Sequence, residues 1–116
     1  MQYLLLIYDD EKRWAKGYDE AELKEYGVFG EEFKKQIASG KALQPTRAAT
    51  TVRVREGKRL TTDGPFAETK EQLGGYFLVD VESLDEALEI AARIPGARFG
   101  SIEVRPVVPT RAEAHA

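Results

Sequence analysis

This chain of 116 residues has no cysteine and a single histidine, tryptophan and methionine. Without cysteine there is no disulfide framework and no thiolate chemistry, either as nucleophile or as metal ligand. The only histidine, His115, is the penultimate residue, so the body of the chain has no imidazole for proton transfer or metal ligation. No apolar run approaches the ~20 residues that cross a bilayer. Met1-Gln2-Tyr3 leads straight into a short apolar run, with no basic segment of the secretory kind before it. A basic excess is missing too: the formal charge of −3 argues against a general nucleic-acid binder. A cytoplasmic protein with no membrane or nucleic-acid partner is the economical expectation.

What is present suits one folded unit. A hydrophobic share of 42% supplies a core and a charged share of 32% a well-solvated surface. The length is that of a single domain. We place the domain at residues 1–108 and expect a frayed polar tail over 109–116.

Residues 2–8 read as a strand apolar on both faces, hence central in a sheet. Asp9-Asp10-Glu11-Lys12-Arg13 reads as a charged loop, with Trp14 and Tyr18 packed over the sheet edge. Asp19 and Glu22 fit a capping box. Leu23, Tyr26, Phe29, Phe33 and Ile37 then step by three or four along one helical stripe, and Gly40 is a plausible stop. Gly27 and Gly30 each cost such a helix about 1 kcal/mol against alanine. They either permit close packing or kink the helix.

Thr50 to Arg55 alternates valine with arginine, Glu56-Gly57 is a turn signal, and Lys58 to Thr62 returns as a second strand. Tyr76 to Val81 is another strand. Ser83 and Glu86 form a second capping box ahead of Leu84, Ala87, Leu88 and Ala91; Pro95-Gly96 ends that helix, and Ser101 to Val107 is the last strand. The order is a split βαβ, the ferredoxin-like α+β pattern, with an added hairpin strand. Two helices cover one face of such a sheet. The other face carries Leu4, Leu6, Tyr8, Tyr76 and Leu78 beside Arg53, Glu103 and Arg105. That mixture is too apolar for open water, so we expect a homodimer packed sheet to sheet around a polar cavity.

The stretch Thr62-Asp-Gly-Pro-Phe-Ala-Glu-Thr-Lys-Glu71 is chemically unusual. Asp63-Gly64-Pro65 is turn chemistry, and Phe66 gives the turn an apolar anchor. A carboxylate fixed there is either an acid–base or cation-binding group or a residue that serves its own turn. Glu68, Lys70 and Glu71 either position a ligand around Asp63 or form the solvated face of a short helix over 67–73. Glu103 and Arg105, with Arg53 near them, are either an interface charge pair or an anion site, since guanidinium offers a planar fork. Tyr8, Tyr26 and Tyr76 are either ligand donors or core aromatics with satisfied hydroxyls. No metal-ligand spacing, phosphate loop or dinucleotide fingerprint occurs, so we expect no metal and no cofactor.

The run from Thr62 to Val107, with Tyr3-Leu-Leu-Leu-Ile-Tyr8 and Ala49-Thr-Thr-Val-Arg53, resembles the DGPF branch of the YCII-related proteins. The resemblance implies a ferredoxin-like, dimeric α/β-barrel fold. Some relatives in the wider group use a His–Asp pair. That mechanism does not carry over to a chain whose body lacks histidine; Asp63 stands at most for its Asp half. The expected function is a small-molecule site at the dimer interface, with acid–base chemistry at Asp63 and Arg53, Glu68, Lys70, Tyr76, Glu103 and Arg105 as binding residues. The alternative implied by the resemblance is a regulatory module whose partner is an extracytoplasmic-function sigma factor.

Overall fold

The N-terminal apolar run becomes β1 (Gln2–Asp9), which lies between β5 (Gln72–Asp80) and β6 (Ser101–Pro106), antiparallel to both. The outer edge of β5 carries β2 (Ile37–Ala42), giving one antiparallel sheet of order β2-β5-β1-β6. The computed structural model describes residues 1–110 of the chain. Most of the tail expected over 109–116, with His115, lies outside those residues.

Among the described residues three α-helices accompany the sheet: α1 (Glu11–Trp14), α2 (Glu20–Glu32) and α3 (Leu84–Arg93). The path β1-α2-β2 steps over β5, and β5-α3-β6 steps over β1, which is the split βαβ arrangement. Both long helices pack on the same sheet face. Tyr3, Leu5 and Val79 from the strands meet Phe29 of α2 and Ala87, Ile90 and Ala91 of α3, with Leu5 and Val79 fully buried. The opposite face is helix-free. There Leu4 lies across from Leu78, and Leu6 across from Tyr76, all partly exposed.

The α3 start is the expected capping box. Ser83 accepts from the Glu86 amide at 3.2 Å, while the Glu86 carboxylate accepts from the Glu82 amide at 2.9 Å. At α2 the box fails: Asp19 stands at the cap position but its side chain makes no capping bond, and the Glu22 carboxylate that would complete the reciprocal half is taken by Arg13. The apolar stripe also overreaches. α2 stops at Glu32, and Ile37 and Gly40 belong to β2, where Gly40 faces Phe77 across the ladder. An alanine Cβ at Gly40 would stand 2.6 Å from the Phe77 ring, so this glycine is a strand contact and not a helix stop. The charged run after β1 is not a plain loop: Asp10 accepts from the Lys12 amide at 2.9 Å and caps the single turn of α1.

The hairpin forms where expected, as β3 (Thr50–Arg55) and β4 (Lys58–Asp63). Its turn residues Glu56 and Gly57 both take positive φ, 51° and 74°, the twist that suits a two-residue hairpin. It does not join the main sheet, however, and stands as a separate two-stranded ribbon. The fourth strand of the sheet is β2 instead. Residues 67–71 contain no helix.

Candidate functional site

β1 ends in an aspartate, and that position sets up the site. Asp9 is only 5% exposed although it carries a carboxylate. The one turn of α1 carries Arg13 back over it, four residues on, and Arg13 Nε donates to Asp9 Oδ2 at 2.7 Å. The other end of the same guanidinium forks onto Glu22 of α2: Nη1 donates to Oε2 at 2.8 Å and Nη2 to Oε1 at 3.0 Å. Glu22 is 4% exposed. Burying two carboxylates costs several kcal/mol unless they are paired and hydrogen-bonded, and Arg13 does both. The bonds to Glu22, then those to Asp9, hold Arg13 protonated even above its usual range, against the opposing effect of burial. The Arg13 guanidinium carbon also sits over the Phe99 ring, 4.1 Å from its centroid.

Beside this triad opens a cavity of about 260 Å³ between the short helix, α2 and the β2–β5 edge. Its walls are mainly apolar, with Ile7, Phe77 and Leu23 among them, and Asp9, Arg13 and Glu22 at one side. Trp14 is buried and stacks on Tyr18, the ring planes 7° apart and the centroids separated by 5.5 Å. Gly74 lets the indole lie close to the strand; a Cβ there would meet it at 3.2 Å. Tyr26 completes the aromatic lining. Burial pushes its phenol up to about 12, opposed by a hydrogen bond from the Gly96 backbone, so it is a neutral donor over the physiological range. Burial likewise raises Tyr18. Lys41 stands exposed at the margin.

Of the residues that the sequence suggested as a site, Tyr76 touches this cavity from strand β5, although its ladder position opposite Leu6 puts it on the helix-free face, whereas Asp63 and Arg105 do not line it. Asp63 ends β4 opposite Thr50 and is exposed; Arg53 is exposed on β3. Glu68 and Lys70 are exposed in the loop before β5. Glu103 and Arg105 form an ion pair with each other on the helix-free face, Arg105 Nε donating to Glu103 Oε2 at 3.0 Å. Tyr8 joins them: its phenol is raised first by burial and then by Glu103. The suggested residues therefore fall into two groups within one chain: the β3–β4 hairpin with the loop that follows it, and the helix-free face, where Tyr76 also borders the cavity. Among the described residues no group of three or more acidic or histidine side chains could hold a metal ion, and no helix is long and apolar enough to cross a membrane.

Sequence reasoning missed Asp9, Arg13 and Glu22 as a unit. The available signal was an aspartate closing an otherwise apolar strand with an arginine four residues later. Glu22 was masked because its spacing from Asp19 also fits a helix cap.

Comparison with known proteins agrees with this fold. An uncharacterized protein of Rhizobium meliloti (strain 1021) is 42% identical over 117 residues, covering 92% of each chain. The solved structure of 5-chloro-2-hydroxyhydroquinone dehydrochlorinase from Burkholderia phenoliruptrix AC1100, in complex with 2,5-dihydroxybenzoquinone, superposes with a TM-score of 0.55. That likeness covers 97% of this chain and 99% of the other at 16% identity, and it speaks to fold alone. Because the YCII-related domain matches residues 1–111, nearly end to end, the chain belongs to the YCII-related family.

Proposed function

We propose that this protein binds a small single-ring molecule with hydroxyl groups at its edge, in the cavity bounded by Trp14, Tyr18 and Tyr26. The observation that carries the reading is the pair of buried carboxylates, Asp9 and Glu22, facing a mainly apolar, aromatic-walled space. A pocket of this composition with a few convergent polar groups is the usual form of a small-molecule site. Its volume of about 260 Å³ suits one ring better than a larger ligand. The nitrogens of Arg13 are already engaged by Asp9 and Glu22, so an anion finds no free fork here. A hydroxyl finds carboxylate oxygens that accept, and the Tyr26 phenol donates in return. The structural neighbour, whose title names a hydroxyhydroquinone and a bound dihydroxybenzoquinone, handles molecules of this shape, which supports the reading by analogy of fold.

Proton exchange between a ligand hydroxyl and Asp9 or Glu22 is the chemistry these groups offer. This moves the acid–base centre from Asp63 to the end of β1, and from a dimer interface to the helix side of one chain. Neither fold nor relatives add an observation for the sigma-factor reading.

Trp14 is the only tryptophan and lies in the wall, so its emission reports on the cavity directly. Titration with hydroquinone should quench it saturably. Glu22→Gln and Tyr26→Phe should each weaken binding by up to ~10-fold, the loss of one hydrogen bond. Quenching that never saturates, or that both variants leave unchanged, rejects the proposal.

A further inference from the structure

Glu11 opens the single turn of α1 that also carries Arg13 and Trp14. Its carboxylate is fixed by one distant residue. The Thr46 amide donates to Oε1 at 2.5 Å and the Thr46 hydroxyl to Oε2 at 2.8 Å. Its main chain is held as well: the Glu11 amide donates to Gln72 Oε1 at 3.0 Å, and Gln72 Nε2 donates in turn to the Thr69 carbonyl at 2.5 Å. Glu11, Thr46 and Gln72 do not line the cavity, whereas Arg13 and Trp14 do.

These bonds gather both legs of the hairpin onto one residue. Thr46 starts the short 3-10 turn Thr46–Ala48, which runs through Ala49 into β3. Thr69 and Gln72 lie on the way back from β4 into β5. The Gly64 amide closes the root by donating to the Ala49 carbonyl at 2.7 Å. A helix of four residues has no stability of its own. Internally it has the Asp10 cap on the Lys12 amide and the bond from the Ala15 amide to the Glu11 carbonyl, at 2.7 Å. Neither fixes its angle to the sheet. That angle comes from outside, from Arg13 on Asp9 and Glu22 at one end and from Glu11 on the hairpin root at the other.

We infer that Glu11 is a positioning residue for the cavity: its anchorage on the hairpin root sets the angle of α1, and with it where Trp14 and Arg13 stand in the wall. An acidic residue in a first turn serves the helix dipole without any directed bond from its side chain. Glu11 is half-buried instead, and both of its oxygens are committed to Thr46. It has no ion-pair partner among the described residues, so the carboxylate is not there to neutralise a cation. Hydrogen bonds to a charged acceptor are about twice as strong as neutral ones, which suits an anchor. Trp14 follows Glu11 by almost one helical turn, so a tilt of α1 carries the indole with it. The indole has little slack, because a Cβ at Gly74 would already meet it at 3.2 Å. The expected effect on affinity rests on the ligand reading above; the effect on the wall does not.

Two breaking variants and two conservative ones test this. Glu11→Ala removes both bonds to Thr46, and Thr46→Val removes the hydroxyl one. In Glu11→Gln the side-chain oxygen accepts from the Thr46 amide while its nitrogen donates to the Thr46 hydroxyl, so both contacts survive. Thr46→Ser keeps both donors. The near-UV circular dichroism and emission maximum of Trp14 report the wall, and quenching by hydroquinone reports affinity. Glu11→Ala should move both spectra and weaken hydroquinone binding roughly 5-fold, with Thr46→Val moving the same way by less. Glu11→Gln and Thr46→Ser should stay within about 2-fold of wild type. A role confined to stability would lower the urea midpoint of Glu11→Ala and leave the spectra and affinity of the folded protein unchanged; that result overturns the inference. So does a Glu11→Gln protein as perturbed as Glu11→Ala. If Glu11→Ala does not fold, Thr46→Val against Thr46→Ser makes the same comparison. If wild type shows no saturable quenching, the ligand reading falls, and the spectra alone decide for or against Glu11.

Discussion

Glu22 gives both of its carboxylate oxygens to Arg13, at 2.8 and 3.0 Å, and none to the start of its own helix. One guanidinium thus binds the end of β1 to the first turn of α2, and forms one side of the cavity at the same time. Arg13 is 30% exposed at its side chain while its partners are nearly dry, so the network is pinned from the solvent side.

Removing that pin leaves two buried carboxylates facing each other. Arg13→Met should cost ~2–3 kcal/mol in urea melts, somewhat under the ~3–5 kcal/mol of a fully buried pair because the arginine is partly solvated. Arg13→Lys should recover only part of it, since an ammonium cannot fork onto Glu22 and reach Asp9 together. A methionine variant as stable as wild type would show that the triad holds nothing together.

The raised phenol of Tyr26 makes stability depend on pH in the alkaline range. Below its ordinary value of 10.0 the phenol is protonated in folded and unfolded chains alike and contributes no slope. From there to about 12 the unfolded chain ionises first, so the unfolded state binds fewer protons and stability falls as pH rises. Tyr8 and Tyr18 are shifted in the same direction, so the wild-type decline is a sum. Tyr26→Phe should flatten the part of the curve that belongs to Tyr26. Urea midpoints measured across that range should converge for the two proteins as pH rises; parallel curves would mean that the phenol is not shielded.

Much of the frame was legible because local chemistry and tertiary context agreed. The doubly apolar β1 is central, Ser83–Glu86 caps α3, and Glu56-Gly57 turns the hairpin. β2 was not legible. Ile-Ala-Ser-Gly-Lys-Ala has weak strand propensity, and Ile37 extends the helical stripe from Phe33 in perfect step. The free edge of β5 makes it a strand, and no local pattern announces that. The triad was hidden for a related reason. Glu22 satisfies a helix-cap spacing, and only the return of α1 over β1 offers it a better partner. The suggested site residues were chosen for chemical oddity in the 62–71 stretch, whereas the cavity is built from residues with ordinary-looking neighbours.

Two glycines should respond in opposite ways to alanine. A Cβ at Gly75 would stand 2.8 Å from the Lys41 carbonyl oxygen and 3.3 Å from the Ala42 Cα, both main-chain atoms of β2. Strand β2 would have to move away from β5, so Gly75→Ala should destabilise by ~1–3 kcal/mol. Gly27 in α2 has nothing within 4 Å of such an atom, which rules out close packing as its reason. Gly27→Ala should therefore stabilise by ~0.5–1 kcal/mol through helix propensity alone. Thermal melts of the two variants should bracket the wild type.

Asp63 separates the two places where a ligand was sought. Its side chain is exposed, and the loop around it is held by the backbone: Gly64 takes the positive φ of 95° and its amide bonds to Ala49. With no side-chain bond to lose, Asp63→Ala should shift stability by no more than ~0.5 kcal/mol, as surface substitutions do. Asp63→Asn should match it. Neither should alter the quenching of Trp14 by hydroquinone, because Asp63 does not line the cavity. Glu22→Gln, which does touch it, should weaken that quenching in the same assay. If Asp63→Ala instead abolished binding in a chain that melts normally while Glu22→Gln left it intact, the ligand would belong to the β3–β4 hairpin and the loop after it, and the carboxylates beside Trp14 would be purely structural.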